Sequence, residues 1–119
     1  MKMLLLLPML LLVGCAIINP PTYHEPEYSN LIEIAAEASD GVCSVEQKER
    51  LSNLTLRSAL YSKYLPHNEL MAEGTEQLAE AVQTLKNSTS TSPSFCQLKL
   101  RLIKNMATTL AGAVGGKSK

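Results

Sequence analysis

Residues 43–66 read CSVEQKERLSNLTLRSALYSKYLP, and this stretch decides the fold. Ser44, Val45, Glu46 and Gln47 make a capping-box pattern: the serine hydroxyl accepts from the amide of Gln47, and the glutamine side chain returns to the serine amide. A helix is predicted from there to about Tyr64, and Pro66, which has no amide hydrogen to continue the ladder, ends it. This helix has two apolar faces. Leu51, Leu54, Tyr61 and Leu65 fall on one side of a helical projection, while Leu56, Leu60 and Tyr64 fall nearly opposite. In a small bundle such a helix is either sandwiched between neighbours or leaves one face for a partner, and an open apolar groove commonly captures an amphipathic helix.

The same periodicity extends in both directions. Upstream, a helix is predicted over Asn30 to Ser39, capped by Ser29 or Asn30 and stopped by Gly41. Leu31, Ile34, Ala35, Ala38 and Val42 give it a buried face, with Glu33 and Glu37 outside. Downstream, His67 or Asn68 restarts the chain. Leu70, Met71, Gly74, Leu78, Ala81, Val82 and Leu85 share one sector of a third helix, whose outer side carries Glu69, Glu73, Glu76 and Glu80. Asn87 to Ser94 is a polar loop, and Ser94 with Gln97 makes a second capping box. A fourth helix is predicted from Phe95 to Ala113 with an apolar face of Phe95, Leu98, Leu102, Met106, Leu110 and Ala113. Lys99 projects into that sector, where it can snorkel, pair with Glu76 or Glu80, or meet an acid on a partner. Gly115, Gly116 and the Lys-Ser-Lys end are expected to fray. The fold expected is an all-α four-helix bundle over 29–114 with a disordered tail over 115–119.

Composition agrees with helices, since aromatic residues are few (one Phe, four Tyr, no Trp) and β-branched residues sparse. Net charge is zero but unevenly placed. Glu25, Glu27, Glu33, Glu37 and Asp40 make the N-terminal part acidic, whereas Lys86, Lys99, Arg101, Lys104, Lys117 and Lys119 are the only charges from Lys86 onward. These bases form no dense stripe with stacking aromatics, which argues against a nucleic-acid partner, and acidic segments beside a basic one are expected instead. Nothing resembles an active site. His24 lies in a proline-rich spacer and His67 at a helix cap, without the partners of a catalytic triad or the three or four convergent ligands of a metal site. Neither enzyme activity, cofactor nor metal is expected. Met71 and Met106 are core fillers, and Glu73 with Glu76 is a solvated helix face.

The N-terminus is distinctive. Lys2 precedes an apolar run from Met3 to Leu12, followed by Leu12-Val13-Gly14-Cys15 and then Pro20-Pro21. The run is short for a membrane span. It resembles a bacterial lipoprotein signal peptide, which implies removal of 1–14, acylation of Cys15 as the new N-terminus, and a lipid-anchored spacer over 15–28. Ala16 stands where the inner-membrane retention signal places Asp. The resemblance thus implies delivery by the lipoprotein sorting machinery to the outer membrane, facing the periplasm.

Cys43 and Cys96 sit at the predicted starts of the second and fourth helices. If the second, third and fourth helices run up, down and up, those starts share one end of the bundle, and an exported domain is oxidised. A disulfide is expected, with a pair of free buried thiols as the alternative. Closing a loop of roughly fifty residues stabilises by about 4 kcal/mol on the chain-entropy model. The absence of Cys-x-x-Cys argues against a redox pair.

Taken together, the lipobox, spacer, four helices, Ile34-Ala35-Ala36-Glu37-Ala38 before Gly41-Val42-Cys43, and Ser90-Thr91-Ser92-Pro93-Ser94-Phe95-Cys96-Gln97-Leu98 resemble the PulS/OutS-type pilotins of type II secretion systems. That resemblance covers the mature chain by layout. It implies capture of a C-terminal segment of a secretin, which becomes helical on binding, and its transport to the outer membrane on the carrier's own lipid. Leu56, Leu60 and Tyr64 are the expected partner-binding residues. The alternative is a phage- or plasmid-encoded envelope lipoprotein, acting in lysis or surface exclusion through protein contacts.

Overall fold

The computed structural model describes residues 22–89 and 92–117, which form four helices: α1 (Glu25–Ser39), α2 (Val45–Tyr64), α3 (Glu69–Lys86) and α4 (Pro93–Gly115). There is no strand among the described residues. Short connections make successive helices antiparallel, and the four form a ring. α1 packs on α2 and α4, α3 packs on the same two, and the backbones of the diagonal pairs do not approach. Leu31, Ile34, Leu51, Leu78, Leu100 and Ile103 are fully buried at the centre. Cys43, just ahead of α2, and Cys96, in the first turn of α4, are joined by a disulfide with Cα atoms 6.2 Å apart. The all-α bundle and its disulfide are therefore as expected.

The boundaries differ in instructive ways. α1 begins five residues before Asn30, so part of the expected spacer, Glu25 to Tyr28, is helical. Pro26 lies in its first turn, where a missing amide hydrogen costs nothing, and Glu25 and Glu27 suit the positive end of the helix dipole. Gly41, at φ 66°, stops it as predicted, in the left-handed region that glycine enters without steric cost. At α2, the Ser44 hydroxyl accepts from the Gln47 amide at 3.1 Å. The return arm of the box is not made. Gln47 is buried, and its Nε2 donates instead to the Glu37 carbonyl in the last turn of α1, at 2.9 Å. That carbonyl also accepts from the Asp40 amide at 3.4 Å, so the glutamine adds a second bond there and ties two helix ends together.

α4 is capped by Ser92 instead of Ser94: its hydroxyl accepts from the Phe95 amide at 3.4 Å, and Pro93 opens the helix. The buried face is Cys96, Leu100, Ile103, Ala107, Ala111 and Val114. It lies about one residue, or roughly 100°, around the helix from the face expected. Leu98 and Leu102 are half exposed. The physical reason is the close approach of α1 and α4, which favours Ala107 and Ala111 opposite an α1 face containing Ala35 and Ala38 over a stripe of leucines. Leu70 and Val42, both expected inside, face solvent; Leu70 is 85% exposed. On α3, a Cβ at Gly74 would stand 2.5 Å from Leu110 Cδ2, so the glycine admits a leucine from α4.

The expected frayed tail is also corrected over its described part, 115–117. α4 is helical through Gly115, and the Lys117 side chain is 6% exposed, paired with Glu27. No described helix is long and apolar enough to cross a membrane. The signal peptide, Cys15 and most of the spacer lie outside the described residues.

Candidate functional site

α2 is not sandwiched. Its inward side buries Gln47, Leu51, Ser52, Thr55, Ser58 and Ser62, of which only Leu51 is a large apolar residue. Small side chains bring α2 close to α3, and their hydroxyls are mostly satisfied locally. Thr55 donates to the Leu51 carbonyl at 2.8 Å, Thr75 on α3 donates to the Met71 carbonyl at 2.8 Å, and Ser52 accepts from Gln83 across the seam. Ser58 Oγ is buried without a partner.

Two leucines of α2 point outward, while Leu51 and Leu54 pack inward. Leu56 and Leu60 are 46% and 56% exposed and, with Ala59 and Lys63, form one wall of a groove of about 980 Å³ between α2 and α3. These four residues follow the i, i+3, i+4, i+7 spacing of a single helix edge. Ala72 and Ala79 contribute apolar surface from α3, and Glu69, Glu73, Glu76 and Glu80 make the opposite wall acidic. The groove therefore has one apolar and one anionic side. Burying apolar surface there would contribute about 25 cal/mol per Å².

Of the three expected contact residues, Leu56 and Leu60 line the groove, whereas Tyr64, 79% exposed, lies outside its lining. Leu65, placed on the inner side by the helical projection, lines the groove instead. It follows the end of α2 in extended conformation (φ −77°, ψ 139°), so a helical projection does not apply to it. The glutamates, expected as a solvated face, form the acidic wall, and their spacing in the sequence marks one edge of α3. Lys99 pairs with neither Glu76 nor Glu80 but lies over the Phe95 ring, 5.5 Å from its centroid, a cation–π contact within its own helix.

One end of the groove adjoins a buried polar cluster that sequence patterns did not reveal. Asn68, which lines the groove, donates through Nδ2 to Glu27 Oε2 at 2.7 Å and to the Ser62 carbonyl at 2.9 Å. Ser62 Oγ donates to the same carboxylate oxygen at 2.7 Å, and Lys117 Nζ donates to Glu27 Oε1 and Asn68 Oδ1. Donors from three separate segments meet on one carboxylate. Burial pushes the Glu27 carboxyl up, but the hydrogen bonds from Lys117, Ser62 and Asn68, with the lysine charge, outweigh it and hold it below the usual carboxylate range. The partners lie 35, 41 and 90 residues away in sequence, so no local signal could have found them. Because Glu27 lies in the first turn of α1, the chain enters the bundle beside the Leu65 and Asn68 end of the groove. Nearby, Tyr23 donates to Glu25, and that hydrogen bond, together with desolvation and the Glu25 charge, raises its phenol to about 12.

No family model, curated protein or solved structure matches this chain.

Proposed function

We propose that this protein is a pilotin-type lipoprotein: a bundle acylated at Cys15 that holds the C-terminal segment of a type II secretion secretin and carries it to the outer membrane. The observation that carries this reading is the open groove of Leu56, Ala59 and Leu60 against α3, on a helix whose inward side, Leu51 apart, is small or polar. An incoming helix would cover these residues and gain the burial the bundle itself leaves unused. The layout of lipobox, spacer and disulfide-linked helices supports the same reading. So does the chain entry beside one end of the groove, which keeps a bound segment close to the tether.

Membrane fractionation of a cognate secretin tests the proposal. With the unaltered protein the secretin should reach the outer membrane. A folded Leu60→Asp protein, which places a carboxylate on the apolar wall at a cost of about 3 kcal/mol in binding, should leave the secretin in the inner membrane. Cys15→Ala should do the same by removing the lipid. A secretin that reaches the outer membrane equally in all three strains would reject the carrier role.

A further inference from the structure

Resting on the reading of the groove as a docking site, we infer that its occupant is a cationic amphipathic helix. Its apolar stripe would lie on Leu56 and Leu60, and its lysine or arginine flank would run along Glu69, Glu73, Glu76 and Glu80. The four carboxylates recur at steps of four, three and four residues, so they share one edge of α3. Like charges at these steps repel one another and weaken the helix that bears them. None of the four has an ion-pair partner among the described residues, and Lys63 is the one cation lining the groove against them. A neutral occupant would leave that repulsion in place and an anionic one would increase it. A cationic one removes it and is drawn in along the field of the acidic wall. α3 is about 27 Å long at 1.5 Å per residue, which matches an occupant of about 18 residues. The competing occupant is a second copy of this chain, whose α4 exposes Leu98 and Leu102 beside Arg101 and Lys104. That contact would join two different surfaces and so build a ring or an open filament, an arrangement less suited to a discrete carrier.

Two 18-residue peptide probes with the same leucine and alanine stripe, one flanked by lysine and the other by glutamate, distinguish these cases by fluorescence anisotropy against the purified full-length protein. The lysine probe should bind about tenfold more tightly at low salt, since several weak exposed ion pairs together reach that ratio. The gap should narrow in 0.5 M salt, where the screening length falls to about 4 Å. It should also narrow in a Glu73→Gln/Glu76→Gln protein, whose helix content is checked by circular dichroism. Equal affinity for both probes, with both weakened by Leu60→Asp, would overturn the charge inference while leaving the groove as the docking site. Binding indifferent to Leu60→Asp would overturn both. Self-association that excludes the lysine probe and is abolished by Leu102→Asp would assign the groove to a second copy and overturn the inference.

Discussion

The α1/α4 side of the ring and the α2/α3 side are built on opposite plans. α1 and α4 turn Leu31, Ile34, Leu100 and Ile103 inward with alanines at their close approach. α2 and α3 meet through Ser52, Thr55, Ser58 and Thr75, while Leu56 and Leu60 remain outside beside a wall of glutamates. The first pair meets through apolar burial; the second adds Leu51, Leu78, Val82 and Leu85 to the core but meets through small polar side chains and presents surface. A helix whose seam with its neighbour is small and polar can hold apolar residues such as Leu56 and Leu60 in reserve for a partner, because the bundle does not depend on them. The Cys43–Cys96 disulfide links the two plans, joining the start of α2 to the start of α4.

Breaking that link should have the largest effect. Its partners are 53 residues apart, and the Cys43→Ser/Cys96→Ser protein should lose about 4 kcal/mol in urea unfolding on the chain-entropy model. Next, Leu100→Ala should cost about 3 kcal/mol through lost burial and the cavity left behind. If Leu100→Ala unfolds at the same urea concentration as the unaltered protein, the α1/α4 side is not the reservoir of stability.

A smaller effect is expected at the polar cluster. Lys117→Met should cost about 2 kcal/mol at neutral pH by removing a charge-assisted hydrogen bond to a buried carboxylate. Glu27 has a depressed folded-state pKa, so its contribution is fully present above the ordinary value of 4.5 and is lost as pH falls through the folded value. The difference between the mutant and the unaltered protein should therefore shrink below pH 4.5. A difference independent of pH down to acid unfolding would show that Lys117 acts by packing alone. The smallest change is expected from Leu56→Ala, within about 0.5 kcal/mol of the unaltered stability; a loss comparable to that of Leu100→Ala would place the α2 outer face in the core.

How much of this was legible in the sequence follows the range of the forces involved. Helix existence came from local periodicity and caps: Ser44, Gly41 and Pro66 punctuate the chain where the structure does. The disulfide came from topology applied to two cysteines. The two faces of α2 were visible in Leu51 and Leu54 against Leu56 and Leu60, and the structure determined which face was left open. Errors arose where tertiary contacts overrode local preference. The α4 face turned toward Ala107 and Ala111 because helix approach matters more there than side-chain size, and Glu27 and Lys117 found each other across nearly the whole chain. Gln47 left its own capping box for the Glu37 carbonyl for the same reason.

The most direct measurement is calorimetry of a synthetic secretin C-terminal peptide with two folded variants of matched chemistry, Leu60→Asp on α2 and Leu102→Asp on α4. Both leucines are about half exposed, at 56% and 47%. With binding at the α2/α3 groove, Leu60→Asp should weaken the peptide by at least about a hundredfold, equivalent to about 3 kcal/mol, and Leu102→Asp should bind it as the unaltered protein does. Unchanged affinity in Leu60→Asp, with loss in Leu102→Asp, would move the binding surface to α4 and contradict the division of the molecule into a stabilising side and a presenting side.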